Sequence, residues 1–359
     1  MNKMGFGFLR FEEGRNGNID FEKINTLVDR YMELGGRYFD TAWTYLDGKS
    51  EEAVRRCVAE RYPRESFEIC DKMPGYYVKS PEQCREYFDT QLKRCGVDYF
   101  DVYMLHWLNE SHYRIAEKQK EFEFLKQIKA EGKARKIGFS FHDSPVLLDK
   151  ILTAHPETDV VLMQINYLDW DSATVQSRQC YETALSHGKE VMVMEPCRGG
   201  MLAKLPAEAV DVLEQTAPGE SPAHWALAFA QSLQGVSRVL SGMNEISQIE
   251  ENLKDFDPLE EPELAALNKV TEILKRDKTV PCTGCRYCVT HCPMGIAIPD
   301  IFAAYNEMRR FPGDSWKMGH ALKELDSRNP ISSCIGCGSC AEHCPQHIEI
   351  PSKLAGISV

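Results

Sequence analysis

Residues 282–293 read CTGCRYCVTHCP, and residues 334–345 repeat the pattern as CIGCGSCAEHCP. Both stretches have the spacing Cys-x2-Cys-x2-Cys-x3-Cys-Pro. Three thiolates this close together reach three irons of one four-iron, four-sulfide cube, while the fourth, after the longer gap, completes the other cube. The two stretches therefore predict two 4Fe-4S clusters, each with one ligand supplied by the other stretch.

The tails of the two cysteine runs also repeat, as CPMGIAIP (292–299) and CPQHIEIP (344–351), which indicates an internal duplication. Zinc is the alternative metal, but its four thiolates usually come as two Cys-x2-Cys pairs separated by a longer loop. The predicted cluster ligands are Cys282, Cys285, Cys288, Cys292, Cys334, Cys337, Cys340 and Cys344.

The residues between the two runs have helix-forming composition over 300–310 and 317–326, split by Pro312-Gly313. Residues 281–359 are therefore predicted to form a small, mainly helical two-cluster ferredoxin domain. A helical linker is predicted over residues 259–280.

The preceding part of the chain alternates apolar, β-branched runs with amphipathic stretches about every thirty residues, the pattern of repeated βα units. Eight strands and about 250 residues are typical of a closed (β/α)8 TIM barrel, which we predict for residues 1–258. A doubly wound sheet is the rival fold, but Gly5-Phe6-Gly7 lies inside the first strand rather than in a phosphate-binding turn. The strands are predicted to begin near Met4, Arg37, Ser66, Tyr99, Ala134, Asp159, Glu190 and Val236.

Four chemically active residues follow or end successive predicted strands. Asp40 and Tyr45 follow the second strand, Lys72 follows the third and His106 the fourth. Because catalytic groups in such barrels sit at the C-terminal ends of the strands, these side chains are expected to share one mouth. A nearby ammonium favours the phenolate of a tyrosine, so the set suits delivery of a proton to an oxygen as hydride reaches carbon.

These residues resemble the aldo/keto reductase family, and specifically its iron–sulfur branch with a C-terminal ferredoxin tail. The resemblance rests on Asp40-Thr41-Ala42-x-x-Tyr45, on Lys72 and His106, and on the two cysteine runs. It implies that Tyr45 is the general acid, that Lys72 tunes its pKa, that Asp40 pairs with Lys72, and that His106 orients the substrate.

The resemblance also implies that NAD(P)H lies across the barrel mouth without a Rossmann domain. The implied contacts are Ser140 and Gln164 for the carboxamide, Arg198 and Gly200 in the 196–202 loop for the pyrophosphate, and Ser241, Gly242, Glu251 and Asn252 for the adenosine end.

The chain departs from the family pattern at four positions in or near this implied cofactor site. Phe141 replaces the usual Asn after the Ser of the fifth strand, and Met194 replaces an aromatic that often stacks on nicotinamide. The basic residues that commonly bind the 2′-phosphate align near Gly242 and Gln248. These departures count against NADPH and leave NADH, NADPH or neither as open alternatives.

Composition narrows the classes of partner. The 359 residues include 42 Lys and Arg against 54 Asp and Glu, a net charge of −12. This acidity disfavours nucleic-acid and anionic-membrane partners. The 14 cysteines without a secretion signal predict a reducing, cytoplasmic location rather than disulfides.

Three functions remain open at this stage. The first is an oxidoreductase acting on a small carbonyl or alcohol, with two clusters that exchange electrons with an external carrier. The second is an electron-transfer or redox-sensing protein whose barrel no longer uses a nicotinamide cofactor. In the third, the clusters are purely structural.

Overall fold

The computed structural model describes residues 3–11, 19–276, 279–310 and 315–357, with the backbone alone for 315–318. The predicted turn at Pro312-Gly313 lies outside the described residues. The chain divides into two compact units, Met1–Pro196 with Leu227–Pro258, and Cys197–Ala226 with Leu259–Val359. Residues 197–226 thus group with the C-terminal part, whereas the sequence places them in the barrel domain; the boundaries at 258 and 280 stay predictions.

Eight parallel strands form a closed barrel in which each strand pairs with the next and the first pairs with the last. Each strand begins within two residues of its predicted start, so the predicted TIM barrel is confirmed. The strands are Met4–Gly7 (β1), Tyr38–Asp40 (β2), Glu68–Met73 (β3), Phe100–Leu108 (β4), Ala134–Phe141 (β5), Val160–Gln164 (β6), Glu190–Met194 (β7) and Val236–Ser241 (β8).

Helices separate the strands and make up most of the C-terminal unit. The two helices predicted over 300–310 and 317–326 begin and end within two residues of those observed. The helices are Phe21–Glu33 (α1), Ser50–Val54 (α2), Pro81–Cys95 (α3), Glu110–Gln119 (α4), Glu121–Ala130 (α5), Pro145–Ala154 (α6), Ser177–Ser186 (α7), Ala207–Thr216 (α8), Pro222–Ser232 (α9), Ile246–Asn252 (α10), Glu261–Lys275 (α11), Ile298–Arg310 (α12), Ser315–Arg328 (α13), Ser339–Glu342 (α14) and Ile350–Ala355 (α15).

Local sequence signals set several of these ends. The carboxylate of Asp20 accepts a hydrogen bond from the Lys23 N–H at 3.0 Å and caps the start of α1. Pro81 opens α3, where its missing N–H costs nothing. Gly96 ends α3 at φ +67°, a left-handed conformation that an L side chain adopts only with strain.

The interior of the barrel is filled by side chains from six of its strands, so it is a packed core rather than a pore. The C-terminal ends of β2 to β8 lie on one side of this packed layer of side chains, which we call the barrel floor. The layer keeps the polar side chains at these strand ends in fixed positions. The floor residues are Tyr38, Cys70, Val102, Met104, Val160, Leu162, Met192 and Leu240.

In the C-terminal unit, α8 packs on α11 and an ion pair of 3.0 Å joins Glu208 to Arg276. Ile296, Ile298 and their counterparts Ile348 and Ile350 are all buried in one core, so the repeated tails pack together. Within the described part of the chain, no helix is both long enough and apolar enough to span a bilayer.

Candidate functional site

A buried ion pair lies at the C-terminal ends of β2 and β3. The ammonium of Lys72 contacts both oxygens of Asp40, at 2.8 and 2.7 Å, and donates to the carbonyl of Thr41 at 2.7 Å. Burial alone lowers the pKa of Lys72, but the acidic groups around it, Asp40 foremost with Cys70 and Asp71, together raise the net pKa above its ordinary value. Lys72 is therefore a fixed positive charge, with no exposed surface.

Tyr45 and His106 lie beside this charge. The Lys72 Nζ lies 4.7 Å from the centre of the Tyr45 ring, and the rings of Tyr45 and His106 meet edge to face with centres 5.7 Å apart. The chain turns sharply after Tyr45, where Leu46 and Asp47 have φ of 51° and 52°. The four residues that the sequence assigned to the tetrad are thus brought together.

His106 is held in its neutral form. Burial, with the positive charges of Lys72 and of His142 and His112 when protonated, lowers its pKa well below the ordinary value. A neutral imidazole donates a hydrogen bond to an oxygen without adding a formal charge. This property suits a group that orients a carbonyl.

Ser140 and Gln164, the residues predicted to contact a carboxamide, are both buried at strand ends. The Ser140 hydroxyl accepts a hydrogen bond of 2.6 Å from the Trp107 N–H, which directly follows His106. The Gln164 amide donates to Asp169 at 2.7 Å, and the Asn166 amide donates to the same carboxylate oxygen at 3.0 Å. These polar side chains form a fixed set of hydroxyl and amide groups.

The four residues predicted for the adenosine end lie in two places: Ser241 and Gly242 at the end of β8, and Glu251 and Asn252 on α10. Asn252 donates to the Ser241 hydroxyl at 3.2 Å. A β-carbon at Gly242 would lie 2.4 Å from the Arg10 Cγ, so Arg10 covers this glycine closely. Glu251 precedes Asn252 on α10 and is half-buried. The Gln248 side-chain oxygen caps the start of α10 by accepting from the Glu245 N–H at 3.3 Å, and it also accepts from the Asn244 N–H at 2.8 Å.

Arg198 and Gly200, predicted for the pyrophosphate, lie in the C-terminal unit. Arg198, Gly199 and Gly200 have φ of 49°, 65° and 88°, a run of left-handed residues that makes a tight turn. A β-carbon at Gly199 would lie 2.4 Å from the Thr283 carbonyl oxygen, so this turn packs against the first cysteine run.

Sequence reasoning missed two charged features of the barrel unit. Arg10 pairs with Glu195 at 3.1 Å beside Gly242, and no sequence motif marks either residue of this pair. Glu51 and Asp71 are both fully buried. Burial raises the pKa of Asp71, and the carboxylate of Glu51 raises it further.

The eight predicted cluster ligands surround two separate pockets. The first pocket, which we call the first cradle, is lined by Cys282, Cys285, Cys288 and Cys344. The second pocket, the second cradle, is lined by Cys292, Cys334, Cys337 and Cys340. Each cradle takes three sulfurs from one run and the fourth from the other, which is the exchange that the spacing predicts.

The chemistry of the donor set fits a cluster in each cradle. Each pocket holds about 310 Å³ of space, including solvent at its open side. Zinc thiolates usually come as two Cys-x2-Cys pairs separated by a longer loop, whereas each cradle is lined by three cysteines of one run and one of the other. Burial and the neighbouring thiols raise the pKa of Cys288, which favours the protonated thiol. Iron binds the thiolate, so its binding would release this proton.

The duplication extends to the histidines that precede the last cysteine of each run. His291 hydrogen-bonds the Tyr287 carbonyl at 2.9 Å, and His343 the Ser339 carbonyl at 2.8 Å. The two rings stack on each other, with centres 3.5 Å apart and planes 17° apart. The two copies are thus joined directly beside the exchanged ligands.

Comparison with known proteins agrees with both parts of this description. Residues 3–272 match the model of the aldo/keto reductase family, and residues 281–349 match a 4Fe-4S dicluster domain. The chain therefore belongs to the aldo/keto reductase family, a family of oxidoreductases, and carries a 4Fe-4S dicluster domain at its C-terminal side.

Two curated relatives and one solved structure illustrate the similarity. The chain is 26% identical over 224 residues to the NADH-specific methylglyoxal reductase of Escherichia coli, covering 56% of this chain and 65% of that protein. It is 30% identical over 178 residues to the probable aldo-keto reductase 1 of Glycine max, covering 47% and 49%. The chain thus spans about half to two thirds of the length of these relatives.

The solved structure is an aldo-keto reductase from Klebsiella pneumoniae in complex with NADPH. It superposes with a TM-score of 0.61 at 20% identity, over 75% of this chain and 90% of that chain. At this level of identity the likeness supports the barrel fold alone.

Proposed function

We propose that the protein is an oxidoreductase that interconverts a small carbonyl compound and its alcohol, and that its C-terminal unit binds two 4Fe-4S clusters for electron transfer with an external carrier. The observation that carries this proposal is the Lys72 ammonium, which Asp40 fixes without exposure to solvent, 4.7 Å from the Tyr45 ring. A structural ion pair needs neither the tyrosine nor the histidine beside it.

The four residues divide the work of moving a proton. Tyr45 gives its hydroxyl proton to the carbonyl oxygen as the alcohol forms. Lys72 stabilises the negative charge that this leaves on the tyrosine, in a buried site where the interaction is stronger than in water. Asp40 keeps Lys72 charged and in place, and the neutral His106 positions the carbonyl oxygen.

The hydride comes from a nicotinamide cofactor when one is bound. The hydroxyl of Ser140 and the amide of Gln164, both buried and held by neighbours, are donors and acceptors of the kind that a carboxamide needs. We favour NADH over NADPH because neither position that aligns with the family's 2′-phosphate-binding basic residues is basic here. Gly242 has no side chain, and the Gln248 side chain caps α10. Arg10, the cation beside Gly242, is offset by Glu195.

A small aldehyde or ketone is the proposed substrate class. The similarity to a methylglyoxal reductase supports this class, and methylglyoxal is therefore the first probe substrate. The sequences of the barrel loops do not identify one particular substrate within this class.

The proposal is tested with Tyr45→Phe in protein purified without oxygen, with the exposed Tyr77→Phe as the matched control. Tyr45→Phe should lower the rate of NADH-dependent methylglyoxal reduction by about 10²–10⁴-fold, while iron stays near eight atoms per chain, about four for each cluster. Tyr77→Phe should change neither quantity.

Three results would count against parts of this proposal. Full turnover by Tyr45→Phe would remove the tyrosine from the mechanism, and zinc in place of iron would remove the clusters. Binding of neither NADH nor NADPH in a fluorescence titration would favour the alternative of an electron-transfer or redox-sensing protein.

A further inference from the structure

The two copies of the cysteine run are related position by position, 52 residues apart in the sequence. The correspondence is structural as well, because Gly295 and His347 both have positive φ, at 63° and 51°. Each of these residues donates its N–H to the carbonyl of the run's last cysteine, at 3.0 Å in both copies. A difference in exposure between two matching residues therefore reflects a difference in the residues that pack around each run.

The lip of the first cradle is covered. Thr283, between the first two cysteines of its run, is 4% exposed, and the backbone of Gly199 packs on its carbonyl. Arg286 lines the same cradle and pairs with Asp300 at 3.0 Å. A backbone turn and a long side chain thus screen this cradle.

At the same positions, the described residues leave the lip of the second cradle exposed. Ile335, the counterpart of Thr283, is 66% exposed. Gly338, the counterpart of Arg286, has no described atom beyond its chain neighbours within 4 Å of where a β-carbon would stand, and the same holds for Gly336. Cys337 is exposed, whereas its counterpart Cys285 is partly covered.

We propose that the second cradle is the place where electrons enter or leave the chain, and that the first cradle is the inner one. This inference rests on the proposed function, because it requires a cluster in each cradle. Electron transfer slows steeply as the distance between donor and acceptor grows, so the cradle with an exposed sulfur and an exposed lip exchanges faster. When an electron enters, a one-electron carrier would be oxidised by one electron and a cluster in the second cradle would be reduced by one electron; when an electron leaves, the two changes would be reversed.

The test changes the charge at one lip at a time and measures how fast two small one-electron donors reduce the protein. Ile335→Glu adds one negative charge at the second cradle, with Ile335→Gln as its neutral control. Arg286→Gln removes one positive charge at the first cradle, so the change in charge is the same. The donors are the reduced methyl viologen cation and the sulfur dioxide radical anion of dithionite, followed by stopped-flow absorbance under anaerobic conditions.

At low ionic strength Ile335→Glu should speed reduction by the cation about twofold and slow reduction by the anion about twofold. Added salt should remove both effects. Ile335→Gln and Arg286→Gln should leave both rates within experimental error, and Ile335→Lys should reverse the pattern of Ile335→Glu. The Ile335 variants alone test the proposal should Arg286→Gln lose iron.

Other results overturn the proposal. A response to Arg286→Gln that equals or exceeds the response to Ile335→Glu would place the exchange at the first cradle or at both. No response at Ile335 would show that electrons pass elsewhere. Absence of iron from the purified wild-type protein would refute the proposed function itself, whereas equal responses in a protein with about eight irons would refute only the difference between the cradles.

Discussion

Replacing Lys72 with methionine tests the electrostatic core of the proposed mechanism. The substitution removes the charge and keeps a long, unbranched side chain. With an effective dielectric constant of about 20, two unit charges separated by the 4.7 Å from Nζ to the Tyr45 ring centre interact by about 3.5 kcal/mol. Losing that interaction in the transition state should lower kcat/KM by about 10²–10³-fold, measured as NADH oxidation with methylglyoxal.

The same substitution leaves the buried carboxylate of Asp40 without its partner. The free energy of unfolding should therefore fall by about 3–5 kcal/mol in urea denaturation. The double variant Lys72→Met with Asp40→Asn removes both charges, so it should regain much of this stability. It should not regain activity, because the charge beside Tyr45 is still missing.

Stability and catalysis are thereby separated in one set of proteins. A Lys72→Met enzyme with kcat/KM within tenfold of the wild type would refute the reasoning, since about 3.5 kcal/mol predicts a larger loss. Recovery of activity in the double variant would show that the single variant failed through misfolding around Asp40 rather than through loss of the ammonium.

Three further predictions concern other parts of the molecule. Burial raises the pKa of Glu121 from 4.5 to about 7. Between pH 4.5 and 7 the folded protein therefore keeps a proton on Glu121 that the unfolded chain has lost. The free energy of unfolding should fall by about 3 kcal/mol as the pH rises through this range. Urea titrations should show this fall abolished in Glu121→Gln and kept in Glu123→Gln, an exposed position on the same helix; an unchanged slope in Glu121→Gln would contradict the prediction. Glu195→Gln leaves Arg10 without the carboxylate 3.1 Å away, so NADPH should bind severalfold more tightly relative to NADH in fluorescence titrations, and an unchanged ratio would exclude Arg10 from cofactor choice. Cys344→Ala should lower iron from about eight to about four atoms per chain, because only the first cradle loses a ligand; loss of all iron would argue against independent cradles.

The barrel could be predicted from sequence because its signals are local and repeated. Each strand is a short apolar run, and the helices carry their own end signals, such as Pro81 at the start of α3 and Gly96 after it. The tetrad followed from the same logic, since the C-terminal ends of parallel strands meet at one face. Only the placement of Tyr45 depends on a feature that the sequence does not announce, the left-handed turn at Leu46 and Asp47.

Contacts between residues far apart in the chain could not be predicted. Arg10 covers Gly242 and pairs with Glu195, yet the three residues lie on three different loops and share no motif. The grouping of residues 197–226 with the C-terminal part is of the same kind. It depends on packing such as that of Gly199 on Thr283, which no local periodicity encodes.

The duplicated cysteine runs show where a repeated sequence stops determining a repeated environment. Spacing, turns and the stacked pair of His291 and His343 agree between the copies, because they depend on residues inside each copy or on the contact between them. Exposure differs because the 197–200 turn packs on the first run, at Thr283. Two runs of the same spacing thus differ in exposure through one neighbour, and the second run has Gly338 where the first has Arg286, which widens the difference.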